Sequence, residues 1–177
     1  MEQDHRQGVR AGVIFLKHKG KQNGSDKYNT RSPILKAQPK KKKVKKLSVI
    51  KVQDAVNKAI RERDCDCVVR DGKHQCKGVL TASHFFSVGG NSTFRFYPPN
   101  IHCQCLGHHG IHERRQEPFF YRRWMQENEP DALEFMELHW GASIKYTQVV
   151  LKEILEFART GNLEGLREYI ETLILQA

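Results

Sequence analysis

"PPNIHCQCLGHHGIH", residues 98–112, places four histidines and two cysteines in fifteen positions. Within it Cys105-x-x-His108 has the spacing of a short knuckle carrying two zinc ligands. Structural zinc is tetrahedral and closed by four protein ligands, so a second pair must come from elsewhere in the chain. Three cysteines lie upstream. Cys76, followed by Lys77-Gly78, has the form of the second half of such a pair, and Cys67, across an Asp71-Gly72 turn, is the best first half. Cys65 is the alternative, because side chains two apart on a strand share a face. The predicted structural zinc set is therefore Cys67, Cys76, Cys105 and His108. His109 and His112, three apart on the next turn, share a face of their own and can address a second centre. His102 and Cys103 are assigned to packing or capping.

Working outward, SVIKVQDAVNKAIRERD (48–64) spaces Val49, Val52, Val56 and Ala59/Ile60 by three and four behind Ser48, which predicts an amphipathic helix with a serine cap. VVRDGKHQC reads as a small hairpin around Asp71-Gly72, and VLTASHFF and STFRFY as two strands joined by SVGGN. Pro98-Pro99 closes the second strand and Asn100 stands at a helix-cap position. The back third is helical: a segment from Pro130-Asp131 to Trp140, another from Thr147 to Arg159, and a third after Gly161-Asn162 with Leu163, Leu166, Tyr169, Ile170, Leu173 and Ile174 in phase. Phe119 to Trp124 interleave aromatic and basic residues as a stacking surface does, but their helical spacing assigns them to packing. The fold class is α+β.

A chain of 177 residues holds one domain of ordinary size plus tails. No stretch approaches the eighteen apolar residues of a membrane span, and MEQDHRQGVR lacks the layout of a secretory signal, so an intracellular protein with no membrane partner is expected. Five cysteines, an odd number in two clusters, fit metal binding in a reducing compartment better than a disulfide framework. The net charge of +10 is polarised. Residues 1–46 carry 14 Lys/Arg against 3 Asp/Glu, residues 47–123 carry 12 against 7, and residues 124–177 carry 4 against 10. The first segment, with Lys40, Lys41, Lys42 and Lys43 in PKKKKVKKL, is too polar to order itself, and its lysines gain most by displacing counterions from phosphate. It reads as a largely disordered nucleic-acid-binding arm, with a solubilising tail or a nuclear localisation signal as the alternatives. A core at 47–123 and a helical region at 124–177 packing on it complete the organisation.

A strand carrying His84, a loop, Asn100, then a helix carrying His109 is the order of the HNH, or ββα-metal, nuclease motif. The stretch ASHFFSVGG…FRFYPPNIHCQCLGHH (82–109), preceded by KVQDAVNKAIRERD (51–64), resembles more closely the NinG (Rap) family of lambda-type phage recombination endonucleases. That family shows a helix ending in Arg-Asp, a C-x-x-C, a Gly-His followed by Ser-Val-Gly, an Arg-Phe before Asn-Ile-His, and a second C-x-x-C. The resemblance covers about residues 47–155 and leaves the arm outside. It implies a DNA endonuclease acting on Holliday junctions and D-loops, located in the host cytoplasm if phage-encoded. Three departures stand out. The first C-x-x-C is spread over Cys67 to Cys76, and the second ends in His108. The carboxylate that HNH sites place directly before the strand histidine is here Ser83, with Thr81 two further back.

Phosphodiester hydrolysis needs a deprotonated water, charge neutralisation at phosphate and help for the leaving 3′ oxygen. His84 is the expected general base, His109 and His112 the ligands of a catalytic Mg2+ or Mn2+, and Asn100 the residue that orients His84. Arg95, Arg114 and Arg115 are the expected phosphate contacts. Because a hydroxyl is a poor metal ligand, Ser83 leaves a second expectation open: a zinc-stabilised DNA-binding or recruitment protein of phage recombination with an inactive HNH site. A third is an adaptor whose acidic helices, 131–174, dock another recombination protein. Symmetric resolution of a four-way junction would need two active sites, and a homodimer is consistent with that.

Overall fold

A computed structural model describes residues 46–177, apart from Asp71, Lys73 and residues 114–118. The predicted arm therefore lies, up to Lys46, outside the described residues. Helix α1, Val49–Asp64, starts where Ser48 Oγ accepts from the Lys51 amide at 3.2 Å, satisfying one of the donors that a helix start leaves over. It buries Val52, Val56, Ala59 and Ile60, the stripe the sequence spacing marks out, and burial of each Val or Ile is worth about 1.5–3 kcal/mol. Leu47, just before the cap, is tied to helix α5 (Gln148–Thr160) by a reciprocal amide pair: Leu47 N–H donates to Gln148 Oε1 at 2.7 Å and Gln148 Nε2 donates to the Leu47 carbonyl at 2.9 Å.

Strands β1 (Leu80–His84) and β2 (Ile101–Cys105) form a two-stranded antiparallel sheet in the register Leu80↔Cys105 to His84↔Ile101, and helix α2 (Leu106–Glu113) follows β2 directly. The second strand is thus not STFRFY. Ser92 to Tyr97 instead make consecutive tight turns, with the Arg95 amide donating to the Ser92 carbonyl and the Tyr97 amide to the Phe94 carbonyl. Phe94, Phe96 and Tyr97 are all buried there, and the turns carry all three rings into the core. Nor is Asn100 a helix cap. It ends a 3-10 turn, Pro98–Asn100, and the chain then runs as β2 before turning helical. The expected hairpin around Asp71-Gly72 lies partly outside the described residues, and those described between Cys67 and Val79 contain no strand.

The outer edge of β2 is closed by the end of α1. Asp64 Oδ2 accepts from the Cys103 amide at 2.7 Å, the Val68 amide donates to the Cys103 carbonyl at 3.0 Å, and Arg63 donates to the carbonyls of Pro98 and Ile101. This gives a structural role to the Arg-Asp ending of the helix. Of the two faces of the sheet, one carries Thr81 and Ser83 opposite Gln104 and His102; it is covered by α2 and by helix α3 (Phe119–Asn128), whose Tyr121 hydroxyl lies 2.8 Å from His102 Nδ1. The other contributes Ile101 and Cys105 to the apolar core.

Helices α4 (Pro130–Leu138), α5 (Gln148–Thr160) and α6 (Leu163–Leu175) follow the sequence reading closely. Thr147 caps α5 through Val150 N–H at 3.3 Å, Gly161 ends it in the left-handed region at φ 70°, and Asn162 caps α6 through Gly165 N–H. α4 stops at Leu138, short of the expected Trp140. One continuous core joins Val52, Val56 and Ile60 to Phe94, Phe96, Ile101, Met136, Ile154, Leu166 and Ile170. The C-terminal helices therefore brace the turn and strand from which the site is built. Among the described residues no helix is long and apolar enough to cross a membrane.

Candidate metal cluster and histidine cleft

Cys67, Cys76, Cys105 and His108 converge so that their ligand atoms all lie within 4.8 Å of one another. His108 Nδ1 stands 3.5 Å from Cys67 Sγ, 3.6 Å from Cys76 Sγ and 3.2 Å from Cys105 Sγ. A tetrahedral zinc with ordinary Zn–S and Zn–N lengths places sulfur and nitrogen about 3.6 Å apart. The cluster is thus a Cys3His set that can hold zinc. Local backbone shapes it: Gly78 adopts φ +76°, and a Cβ there would meet Leu106 Cβ at 3.1 Å, so glycine lets the Cys76 loop lie against the start of α2 without the strain any side chain would bring. The Lys77 and His108 amides both point at Cys105 Sγ, at 3.4 and 3.5 Å. Burial alone would raise the Cys105 thiol, but those donors and the His108 ring bring it down to about 6. Cys67 is pushed up to about 12 by burial and by the neighbouring sulfurs. Three sulfurs this close cannot all carry charge on their own, and a divalent cation would let them. Cys65 is exposed, caps α1 in the left-handed region and sets its sulfur on the Glu62 carbonyl at 3.1 Å. Between the two cysteines, the structure selects Cys67.

The next residue of α2 faces elsewhere. His84, His109 and His112 line one open cleft of about 650 Å³ together with Ala82, Ser83, Phe85, Phe86, Ser87, Val88 and Trp140. His84 Nε2 lies 2.9 Å from the Arg95 carbonyl. A carbonyl can only accept, so Nε2 carries the proton and donates, and Nδ1 keeps the lone pair. Burial, above all, and then the Arg95 and His109 charges lower the His84 pKa, with the carbonyl bond acting against them; the ring is neutral near pH 7. His109 Nδ1 is 3.2 Å from Thr81 Oγ1, whose single proton goes to the Gln104 carbonyl at 3.2 Å. Thr81 then accepts from His109 Nδ1–H, which leaves the lone pair on Nε2. Sequence reading weighed Thr81 only as a poor ligand and missed this orienting role, for which spacing carries no signal. His112 packs its ring edgewise on Tyr121, with centroids 4.9 Å apart.

Asn100 is fully buried and makes three hydrogen bonds: Oδ1 accepts from the Phe86 amide at 2.8 Å, and Nδ2 donates to the carbonyls of Phe86 at 3.1 Å and Phe94 at 3.0 Å. These atoms sit two residues beyond His84 and one before Arg95, so the amide fixes both ends of the His84 bond. Arg95 is half-buried and reaches the cleft through its carbonyl at His84, without being one of the lining residues. Arg114 and Arg115, like Lys40, Lys41, Lys42 and Lys43, lie outside the described residues. His102 and Cys103 are buried in the sheet, as assigned. Ser83 is 2 % exposed, and among the described residues no carboxylate lines the cleft. The Phe119–Trp124 segment is helical, with Tyr121 buried and Trp124 edge-on to His102 at 4.6 Å.

A family model described as "Bacteriophage Lambda NinG protein" matches residues 4–111, more than half of the chain. The match begins inside the basic segment, which the resemblance read from sequence left outside, and it ends within α2, well short of residue 155. No curated protein and no solved structure matches the chain.

Proposed function

The chain belongs to the bacteriophage lambda NinG protein family, and on that premise we propose that it is a metal-dependent, structure-selective DNA endonuclease that hydrolyses phosphodiester bonds in branched recombination intermediates such as Holliday junctions and D-loops. The observation that carries the proposal is that His84 and His109 share one cleft, each with its tautomer set by an oxygen partner. In this reading His84 Nδ1 takes the proton from the attacking water, a contribution typically worth about 10²–10⁴ in rate. Asn100 holds the Arg95 carbonyl and the end of β1 so that the imidazole cannot swing away. His109 Nε2, with His112, would hold the divalent ion, which supplies charge neutralisation at the scissile phosphate and the leaving 3′ oxygen. Among the described lining residues the strong donors are imidazoles and none is a carboxylate; imidazole takes first-row transition ions more readily than Mg2+, so of the two expected ions Mn2+ is the better fit. Arg95 and the basic segment would hold the DNA backbone.

Ser83 in the position before His84, with no carboxylate among the described lining residues, also favours a second reading, a zinc-stabilised DNA-binding or recruitment protein of phage recombination. One assay separates the two. Purified protein is incubated with four-way, flapped and linear DNA across Mg2+, Mn2+ and other divalent ions, beside His84→Ala. The nuclease reading expects Mn2+-supported nicking of branched DNA that falls at least about 100-fold in His84→Ala while DNA binding is retained. Binding that weakens steeply with salt, with no cleavage under any ion, establishes the second reading instead.

A further inference from the structure

Part of the lining of the cleft is aromatic: Phe85, Phe86 and Trp140 share it with His84, His109 and His112. Trp140, in the turn after α4, is 46 % exposed and lines the cleft with His84. Its ring meets Phe86 edgewise with centroids 4.7 Å apart, and Phe86 in turn meets Phe85 at 4.6 Å. A large ring this exposed would ordinarily be a loose surface feature, but the loop bearing it is pinned. Asn91 Nδ2 donates to the Trp140 carbonyl at 2.8 Å, Thr93 Oγ1 donates to the Ala142 carbonyl, and Tyr146 donates to the Thr93 carbonyl at 2.7 Å. These bonds attach the indole's loop to the same turn that presents the Arg95 carbonyl to His84. The His84 imidazole and the indole are therefore held to one frame.

We propose that Trp140, backed by Phe86, is a stacking platform for an unpaired base of the DNA strand whose phosphate lies at His84 and His109, so that the cleft selects DNA with splayed or unpaired nucleotides. This deepens the nuclease reading and rests on it for the placement of the phosphate. Two features favour a nucleotide over any other occupant. The polar part of the cleft is imidazole, with the Arg95 charge felt at His84 and no carboxylate among the described lining residues, which suits an anion. The apolar part includes the rings of Phe85, Phe86 and Trp140, and an aromatic face is the one feature that every base recognises and that a base paired in a duplex cannot reach. The platform is not the interleaved Phe119–Trp124 segment, where Tyr121 is buried and Trp124 is engaged with His102.

The chain has two tryptophans, so Trp124→Phe in the full-length protein leaves Trp140 as its only indole fluorophore. Titration with a short single-stranded oligonucleotide in the presence of Mn2+ should quench that fluorescence. An abasic oligonucleotide of equal length, with the same phosphates and no bases, should leave it nearly unchanged. In the otherwise unaltered protein Trp140→Ala should weaken single-strand binding by roughly 5- to 150-fold, the cost of losing one base–aromatic stack. Trp140→Phe should retain most of the affinity, and binding to fully paired duplex should not change. Equal quenching by both oligonucleotides, or equal weakening of single-strand and duplex binding by Trp140→Ala, overturns the platform. The two readings fail differently: a platform failure leaves His84-dependent cleavage in place, whereas a parent protein that cuts no DNA overturns the nuclease reading and leaves the fluorescence comparison to decide the platform.

Discussion

Replacing Asn100 tests how the His84 side of the cleft is held. Its amide is fully buried and makes three hydrogen bonds of 2.8–3.1 Å, one accepted and two donated, all to main-chain atoms of Phe86 and Phe94. A hydrogen bond of this kind contributes about 1 kcal/mol net, and a buried group left without its partner costs about 1–3 kcal/mol. Asn100→Ala should therefore lower stability by about 3 kcal/mol or somewhat more. Asn100→Asp is the sharper variant: its shape is nearly the same and one oxygen can still accept from the Phe86 amide. Its second oxygen, however, would face the two carbonyls that now receive Nδ2–H, exchanging two attractions for two repulsions. It should be no more stable than the alanine variant. Urea unfolding at neutral pH, compared at equal slope, reads both. If the site acts as proposed, each variant should also lose cleavage at urea-free conditions where it is still fully folded, because the His84–Arg95 bond is no longer fixed. An aspartate variant as stable as the parent, or an alanine variant within about 0.5 kcal/mol of it, would refute the assignment of this amide as a clamp.

Metal removal should be severe. Structural zinc in small domains contributes about 10–16 kcal/mol of apparent binding energy, against a typical total stability of about 5–15 kcal/mol; stripping it with a strong chelator should abolish the near-ultraviolet circular dichroism, and an unchanged spectrum at zero metal content would remove the structural role. Elemental analysis should give about one zinc per chain in the parent and in Cys65→Ser, and much less in Cys67→Ser or Cys105→Ser. Burial, followed by the nearby Arg63 charge, lowers His102 from 6.5 to about 3. Its folded form therefore binds fewer protons than the unfolded chain below pH 6.5: the residue costs nothing above that pH, and stability falls as the pH drops toward 3. Between pH 6.5 and 5.0 the loss should be about 2 kcal/mol, and His102→Gln should show a correspondingly smaller acid dependence in urea unfolding. Gly78→Ala, with φ +76° and Leu106 at 3.1 Å, should be destabilised by about 1 kcal/mol or more and release zinc at a lower chelator concentration than the parent.

The helices were legible because their apolar spacing and their caps agree: Ser48, Thr147, Gly161 and Asn162 stand where the sequence puts them. The four-ligand cluster was legible because donors at ligand spacing have few other uses. β2 was not, since all five of its residues are buried and a strand covered on both faces shows no alternation, while its cysteines and histidines already read as ligands. STFRFY misled in the opposite way. It alternates, yet the Asn91 side chain accepts from the Thr93 amide at 2.9 Å and winds the chain into turns. The pairing of His84 with His109 could be inferred from motif order alone, whereas the roles of Thr81 and Trp140 come from residues 28 and 56 positions away meeting in space.

The Asp64 carboxylate and the Val68 amide occupy the main-chain groups of Cys103 that the outer rim of the ribbon would otherwise offer to another chain. Strand addition on that rim is blocked, whether by a neighbouring copy during crowded synthesis or by an extended peptide. Any recruitment through backbone pairing is left to the β1 rim, and a variant that loses the Asp64 acceptor should gain a tendency to aggregate before it loses its fold.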